Sequence, residues 1–154
     1  MKVLNILFGL LFASAALAAD NPYNETADAK FDIRQALAGA ATNQIPVIIV
    51  FGANWCGDCK MLDNAMKNGS SAPLLANNFK IVHVNVGRFD TNVAVAKFYG
   101  VPLQRGIPAF AIISPKNEVL YVTKEGELSS ARKMGESGIY DFLKRVTTEV
   151  KGKK

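Results

Sequence analysis

The chain of 154 residues carries two cysteines, one histidine, one tryptophan and a formal net charge of +5. Apolar residues at 49% and charged residues at 20% fit one globular domain and exclude a disordered chain. Cys56, Cys59 and His83 are the full set of Cys and His, so neither a four-ligand Cys/His zinc site nor a multi-bridge disulfide scaffold can be built.

Met1-Lys2 leads into an apolar run from Val3 to Leu17 that closes on Ala16-Leu17-Ala18. A charged start, a hydrophobic stretch and a small-residue end predict an export signal over residues 1–18, cut after Ala18. The protein is then expected to be periplasmic or secreted. An uncleaved signal that tethers the chain to a membrane is the alternative, although a run of about 15 residues is short for a spanning helix. Residues 19–30 read as an irregular polar segment, 31–150 as the folded domain and 151–154 as a basic, solvated tail. Basic residues are otherwise scattered and form no stripe interleaved with aromatics, so no nucleic-acid partner is expected.

Phe31, Ile33, Ala36, Leu37 and Ala40 recur at helical spacing. Pro46 and Gly52 bracket Val47-Ile48-Ile49-Val50-Phe51, whose continuous apolar character predicts a strand buried on both faces. Cys56 to Cys59 open a helix that runs through Met61, Leu62, Ala65 and Met66 and stops at Asn68-Gly69, with Gly69 as a left-handed cap. A short helix around Pro73 follows. Lys80 to Val86 is the next strand, with Val82, Val84 and Val86 on one face and Ile81, His83 and Asn85 on the other. Asp90-Thr91 is expected to cap a helix through Val93 to Phe98. Ala109–Ser114 and Val119–Thr123 pair as a hairpin. Ile139, Phe142, Leu143, Val146 and Val150 mark the face of a final helix. Strands alternating with helices and then a terminal hairpin describe an α/β fold, a mixed central sheet covered by helices on both faces.

The chemistry centres on Trp55-Cys56-Gly57-Asp58-Cys59, set between a buried strand and a helix. Two thiols three positions apart can close into a disulfide with little backbone movement. At a helix start, free N–H groups and the macrodipole favour the thiolate of the first cysteine. Cys56 is thus the exposed nucleophile that attacks a substrate disulfide, and Cys59, one turn inward, resolves the mixed disulfide. A purely structural bridge closing so short a loop would stabilise little.

With these residues the chain resembles the thioredoxin superfamily over roughly residues 31–150, and within it the small exported bacterial members. The strand Val47–Phe51, the Trp55–Cys59 motif and Arg105-Gly106-Ile107-Pro108 before a strand carry the resemblance. It implies a thioredoxin-like three-layer α/β/α fold, protein-disulfide oxidoreductase activity and no cofactor or metal beyond the redox pair. It also implies a cis Ile107–Pro108 bond, with Gly106, Ile107 and Pro108 forming the platform for an extended substrate segment. Trp55, Gly57 and Asp58 are the shielding and tuning residues of the motif.

The sequence departs from the family pattern at two positions. Val50 stands where a buried Asp is usual, and His83 aligns with the usual lysine, which makes it a possible proton shuttle for Cys59. A space-filling or hydrogen-bonding histidine is the plainer alternative. Asp58 carries a charge beside the thiols worth about 1 kcal/mol of repulsion, whose sign favours a reductant. Asp58 is also an ordinary first-turn helix residue. The expected partners are protein disulfides and a membrane thiol reductant as electron donor, and the chain is expected to be a monomer. The alternatives are a reductant dedicated to one client, in cytochrome c or copper-site maturation, and a non-catalytic carrier using the thiols as metal ligands.

Overall fold

A computed structural model describes residues 21–153. The expected export signal, residues 1–18, lies outside the described residues. No helix among the described residues is long and apolar enough to cross a membrane.

The elements follow one another as α1 (Ala29–Asn43), β1 (Val47–Gly52), α2 (Gly57–Asn68), α3 (Ser71–Ala76), β2 (Lys80–Asn85), α4 (Val93–Phe98), β3 (Ala109–Ile113), β4 (Val119–Val122) and α5 (Ala131–Lys151). The sheet order is β2-β1-β3-β4. β1 pairs parallel with β2, Val50 opposite His83, and antiparallel with β3, Val50 opposite Phe110. β3 and β4 form the expected antiparallel hairpin. β1, central and buried at all six residues, is the continuous apolar run of the sequence.

Because side chains alternate along a strand, β1 feeds two cores. Val47, Ile49 and Phe51 pack with Ile33 and Ala40 of α1 and with Val95 and Ala96 of α4. Ile48 and Val50 pack on the other face with Leu62, Ala65 and Met66 of α2, Leu75 of α3, and Ile139, Phe142 and Leu143 of α5. The result is the expected three-layer α/β/α arrangement.

Two local expectations are corrected, and the last helix proves longer than its marked face. Gly69 is not a left-handed cap; its φ of −87° and ψ of −174° are extended. Close approach is what calls for glycine there, since a Cβ would come within 2.9 Å of both the Ala65 carbonyl and Glu136 Oε1. Glu136 Oε1 instead accepts from the N–H and hydroxyl of Ser70, at 2.8 and 2.7 Å, tying the start of α3 to α5. Nor do Asp90 and Thr91 cap α4. The Asp90 carboxylate accepts from the Arg88 N–H at 3.0 Å and closes the preceding loop, leaving Asn92 at the cap with a left-handed φ of 53°. Lastly, α5 starts eight residues before Ile139 and is broken at Gly135 (φ 66°), so its first turn stands apart and reaches the Cys56–Cys59 loop.

The N-terminal segment, expected to be irregular, is held down by a side chain from the motif region. Asn54 Oδ1 accepts from the Tyr23 N–H at 3.0 Å, and Asn54 Nδ2 donates to the Tyr23 carbonyl at 2.8 Å. Both polar backbone groups of Tyr23 are thereby satisfied next to the active loop.

Gly69→Ala should destabilise the protein by about 1–3 kcal/mol, because two oxygens at the α2–α3 junction must move to admit a methyl group. Urea unfolding of the variant measures this. A change of a few tenths of a kcal/mol would mean that the junction gives way freely.

Candidate active site

β1 leaves the sheet at Gly52, and after four connecting residues the chain enters α2 at Gly57. Cys56 is the N-cap of that helix, with extended φ and ψ (−83°, 111°), and its Sγ accepts from the Cys59 N–H at 3.1 Å. A sulfur in that place meets the free N–H groups and the positive end of the helix, which stabilises a thiolate there once the pair is reduced. Cys56 and Cys59 form a disulfide, with Cα atoms 5.2 Å apart.

Cys56 is less open than the sequence suggests. It is 6% exposed and Cys59 is 0% exposed, so both sulfurs are largely covered. Part of the cover is the Gly106–Pro108 segment. The Ile107 carbonyl lies 3.7 Å from Cys56 Sγ, and the Ile107–Pro108 peptide is cis. Gly106, with φ of 106°, joins a 3-10 turn over Leu103–Arg105 to this segment. Trp55, next to Cys56 in the chain, is 52% exposed. Its ring N–H donates to the Gly87 carbonyl at 2.8 Å, and its ring meets Phe89 edge-on at 6.2 Å. The Arg88 guanidinium lies 5.8 Å from the Trp55 ring centre. Exposed Phe89 and Val93 extend an apolar margin that a peptide can cover. Phe89 carries no sequence signal, because it stands alone in a polar loop at a left-handed φ of 67°.

Asp58 is not the lone charge that the motif implies. Its carboxylate accepts from the Arg132 N–H at 2.9 Å and from Arg132 Nη2 at 3.2 Å. Partial burial pushes its pKa up, but the two Arg132 hydrogen bonds and the charges of Arg132 and Lys133 outweigh this and hold it below the usual value. The guanidinium also overlies the motif, for a Cβ on Gly57 would sit 3.1 Å from Arg132 Nη1. The repulsion expected between Asp58 and the thiolates is therefore largely offset. Arg132 belongs to the separate first turn of α5, and no local pattern in the sequence marks it.

His83 faces Asp63, a carboxylate that the sequence reading passes over. His83 Nε2 is 3.0 Å from Asp63 Oδ1, and Lys67 Nζ is 2.8 Å from Asp63 Oδ2. Asp63 is only 2% exposed. Burial pushes its pKa up, yet the contacts from His83 and Lys67 prevail and keep it below the ordinary carboxylate value. Asp63 follows Cys59 by one helical turn, so a buried carboxylate does lie on the inner side of the motif, carried by α2 in place of the strand position held by Val50. An acidic residue on the same helical stripe as Leu62 and Met66 is the signal that could have found it.

The family described as thioredoxin-like matches residues 27–115. The solved structure of a disulphide isomerase from Xylella fastidiosa Temecula1 is similar at a TM-score of 0.81 and 44% identity, covering 84% of this chain and 99% of that one. A thioredoxin of Haemophilus influenzae is 37% identical over 86 residues, which span 56% of this chain and 71% of the relative. A thioredoxin from Thermus thermophilus shares the fold, with a TM-score of 0.52 at 23% identity over 75% of this chain and 81% of its own.

Two predictions follow from the charges. Arg132→Ala unmasks Asp58 and should raise the Cys56 thiol pKa by about half to one unit, lowering the reduction potential by up to roughly 30 mV. Asp58→Asn leaves the Arg132 cation unopposed and should shift both quantities the other way. Thiol titration and glutathione equilibration read them; shifts of the same sign in both variants would refute the assignment.

The second concerns Asp63. Folding lowers its pKa, so the unfolded chain binds that proton more tightly. The stabilisation is complete above the usual carboxylate range and is lost as pH falls through it towards the folded value. Asp63→Asn should cost about 2–3 kcal/mol at neutral pH, with the gap to wild type closing in acid. Urea midpoints measured across that range would test it, and a gap independent of pH would contradict it.

Proposed function

This chain belongs to the thioredoxin-like family and is a thiol–disulfide oxidoreductase, and from that premise we propose that it reduces or isomerises the disulfides of exported proteins. The observation that carries this reading is the position of Cys56 Sγ. It caps α2, takes the Cys59 N–H at 3.1 Å, and lies 3.7 Å from the carbonyl that precedes cis Pro108. One sulfur is thus activated by a helix start and adjoins a backbone segment suited to pairing with an extended peptide.

In the reaction, the Cys56 thiolate attacks one sulfur of a substrate disulfide and the other substrate sulfur leaves as a thiolate. The Cys59 thiolate then attacks Cys56 Sγ, the bond between Cys56 and substrate breaks, and the Cys56–Cys59 disulfide forms. Two electrons have passed from the pair to the substrate. In isomerisation the released substrate thiolate attacks a second substrate disulfide, and the thiolate freed there attacks the substrate sulfur of the mixed disulfide; Cys56 leaves as the thiolate, Cys59 does not act, and no net electrons are spent. The likeness to a protein described as a disulphide isomerase supports that branch. The pairing of Asp58 with Arg132 removes most of the electrostatic bias towards a pure reductant.

His83, with Asp63 behind it, takes the proton of Cys59 in this reading. The export pattern of residues 1–18 supports a periplasmic or secreted location. There the oxidised pair is returned to the dithiol by a membrane thiol reductant, since the chain has no third cysteine to do it. Trp55 and Phe89 flank the substrate as it docks.

The reduced chain without residues 1–18 should reduce insulin with dithiothreitol as donor and should reactivate scrambled ribonuclease. Cys56→Ser should abolish both activities, and Cys59→Ser should accumulate mixed disulfides with exported proteins. Wild-type insulin reduction by the Cys56→Ser variant would overturn the assignment.

A further inference from the structure

Tyr23 stands in the segment before α1, yet it is 1% exposed. Its hydroxyl is buried and has no hydrogen-bond partner among the described residues. A buried hydroxyl left unpaired destabilises the state in which it has no partner. Its position is defined by the missing side chain of Gly52. A Cβ at Gly52 would overlap the Tyr23 hydroxyl and would also come 2.9 Å from Cys59 Sγ. The phenol oxygen and the buried sulfur therefore share the space that glycine leaves at the end of β1. The Asn54 clamp on the Tyr23 backbone fixes the ring there, and the ring meets His83 edge-on at 5.4 Å.

A disulfide sulfur is a poor acceptor, which accounts for the idle hydroxyl in the oxidised protein. Reduction turns Cys59 into a thiol or thiolate, and a thiolate is a strong, charge-assisted acceptor. We propose that Tyr23 is the hydrogen-bond donor to Cys59 Sγ in the reduced and mixed-disulfide states, and that it stabilises the resolving thiolate. The proposal rests on the exchange reading above only for its place in the cycle. Once the Cys59 proton has passed to His83, the Tyr23 O–H points at the sulfur. When Cys59 attacks Cys56 Sγ and the substrate thiolate departs, the sulfur electron pair becomes the new S–S bond and the hydroxyl is idle again.

The surroundings suit a donor. Burial and the nearby Asp63 charge push the Tyr23 pKa far above the ordinary phenol value, so the hydroxyl keeps its proton. The charged groups around the pair are Asp63 and Lys67 on α2 and His83 on β2, and Asp58 with Arg132 on the outer side of the motif. Asp63 opposes a second negative charge nearby, so a donor to Cys59 works against that repulsion.

Tyr23→Phe removes one oxygen and keeps the ring. In a Cys56→Ser background, where Cys59 is the one thiol, alkylation rate against pH reports the Cys59 pKa without any need for oxidoreductase activity. The Tyr23→Phe change should raise that pKa by about one unit, a tenfold loss of thiolate at lower pH. With both cysteines present, it should shift the glutathione equilibrium several-fold towards the disulfide and slow mixed-disulfide resolution. Initial attack by Cys56 should be unchanged. The oxidised variant should be at least as stable as wild type, because an unsatisfied hydroxyl has gone. Labelling the wild-type chain with fluorotyrosine, whose hydroxyl is more acidic, should move the Cys59 pKa downwards and tests the same bond without a substitution. An unchanged Cys59 pKa in the variant or in the labelled protein overturns the proposal. A shifted pKa in a protein that reduces no disulfide leaves the bond intact and removes the exchange reading alone.

Discussion

The site is governed by how the chain leaves β1. That strand is hydrogen-bonded on both edges and buried on both faces, so its end is among the most firmly placed points in the molecule. A four-residue connection to α2 then leaves the Cys56–Cys59 loop little freedom. The helix start, with its unpaired N–H groups, is brought to the C-terminal end of the central strand, and a sulfur is set at its cap. The same loop and helix carry Trp55, Asp58 and Asp63, and the other groups at the site are brought to the sulfurs from elsewhere.

The groups brought from elsewhere come from distant parts of the chain, and each answers a different need of the loop. Arg132, from the first turn of α5, neutralises the carboxylate that the motif itself carries. The Gly106–Pro108 segment, from the start of β3, covers Cys56 and provides the substrate edge. Trp55 is held by the loop after β2 through Gly87 and is extended by Phe89. Asp63 and His83 sit on the inner side. The two carboxylates of α2 near the thiols are both paired with cations, one at the surface and one inside, and both are held below the usual carboxylate pKa. The carboxylates nearest the thiols are thus each paired with a cation, which reduces their repulsion of a thiolate.

Much of the fold can be read from local pattern. Five consecutive β-rich residues identify β1, alternation identifies β2, and helical spacing identifies α1 and the later part of α5. The motif and the Gly-Ile-Pro triplet are equally local, because helix starts and X-Pro bonds are written in neighbouring residues. What stayed hidden depends on tertiary contact. Gly69 looks like a left-handed cap until Glu136 arrives from another helix to bond with Ser70. Asp58 looks like an uncompensated charge because its partner is 74 positions away in sequence. Tyr23 looks like part of a polar leader because its burial comes from Asn54 and Gly52, neither of which is near it in the chain.

Gly52 bears on why the inner sulfur is tuned by a donor reaching in from outside the strand. The resembled family places a buried carboxylate in β1, and here that position is Val50, which packs into the apolar core with Leu62 and Phe110. A strand so apolar offers Cys59 no polar side chain of its own. Shortening its last residue to glycine opens a gap large enough for a phenol tip, which can then enter from the N-terminal segment. A tyrosine differs from a carboxylate in sign: it brings a proton to the sulfur without adding charge. In a site that already holds buried Asp63, a neutral donor stabilises the thiolate where a second carboxylate would repel it. The apolar strand, the glycine and the buried tyrosine are therefore three parts of one arrangement, since a side chain at Gly52 would take the space of the phenol tip.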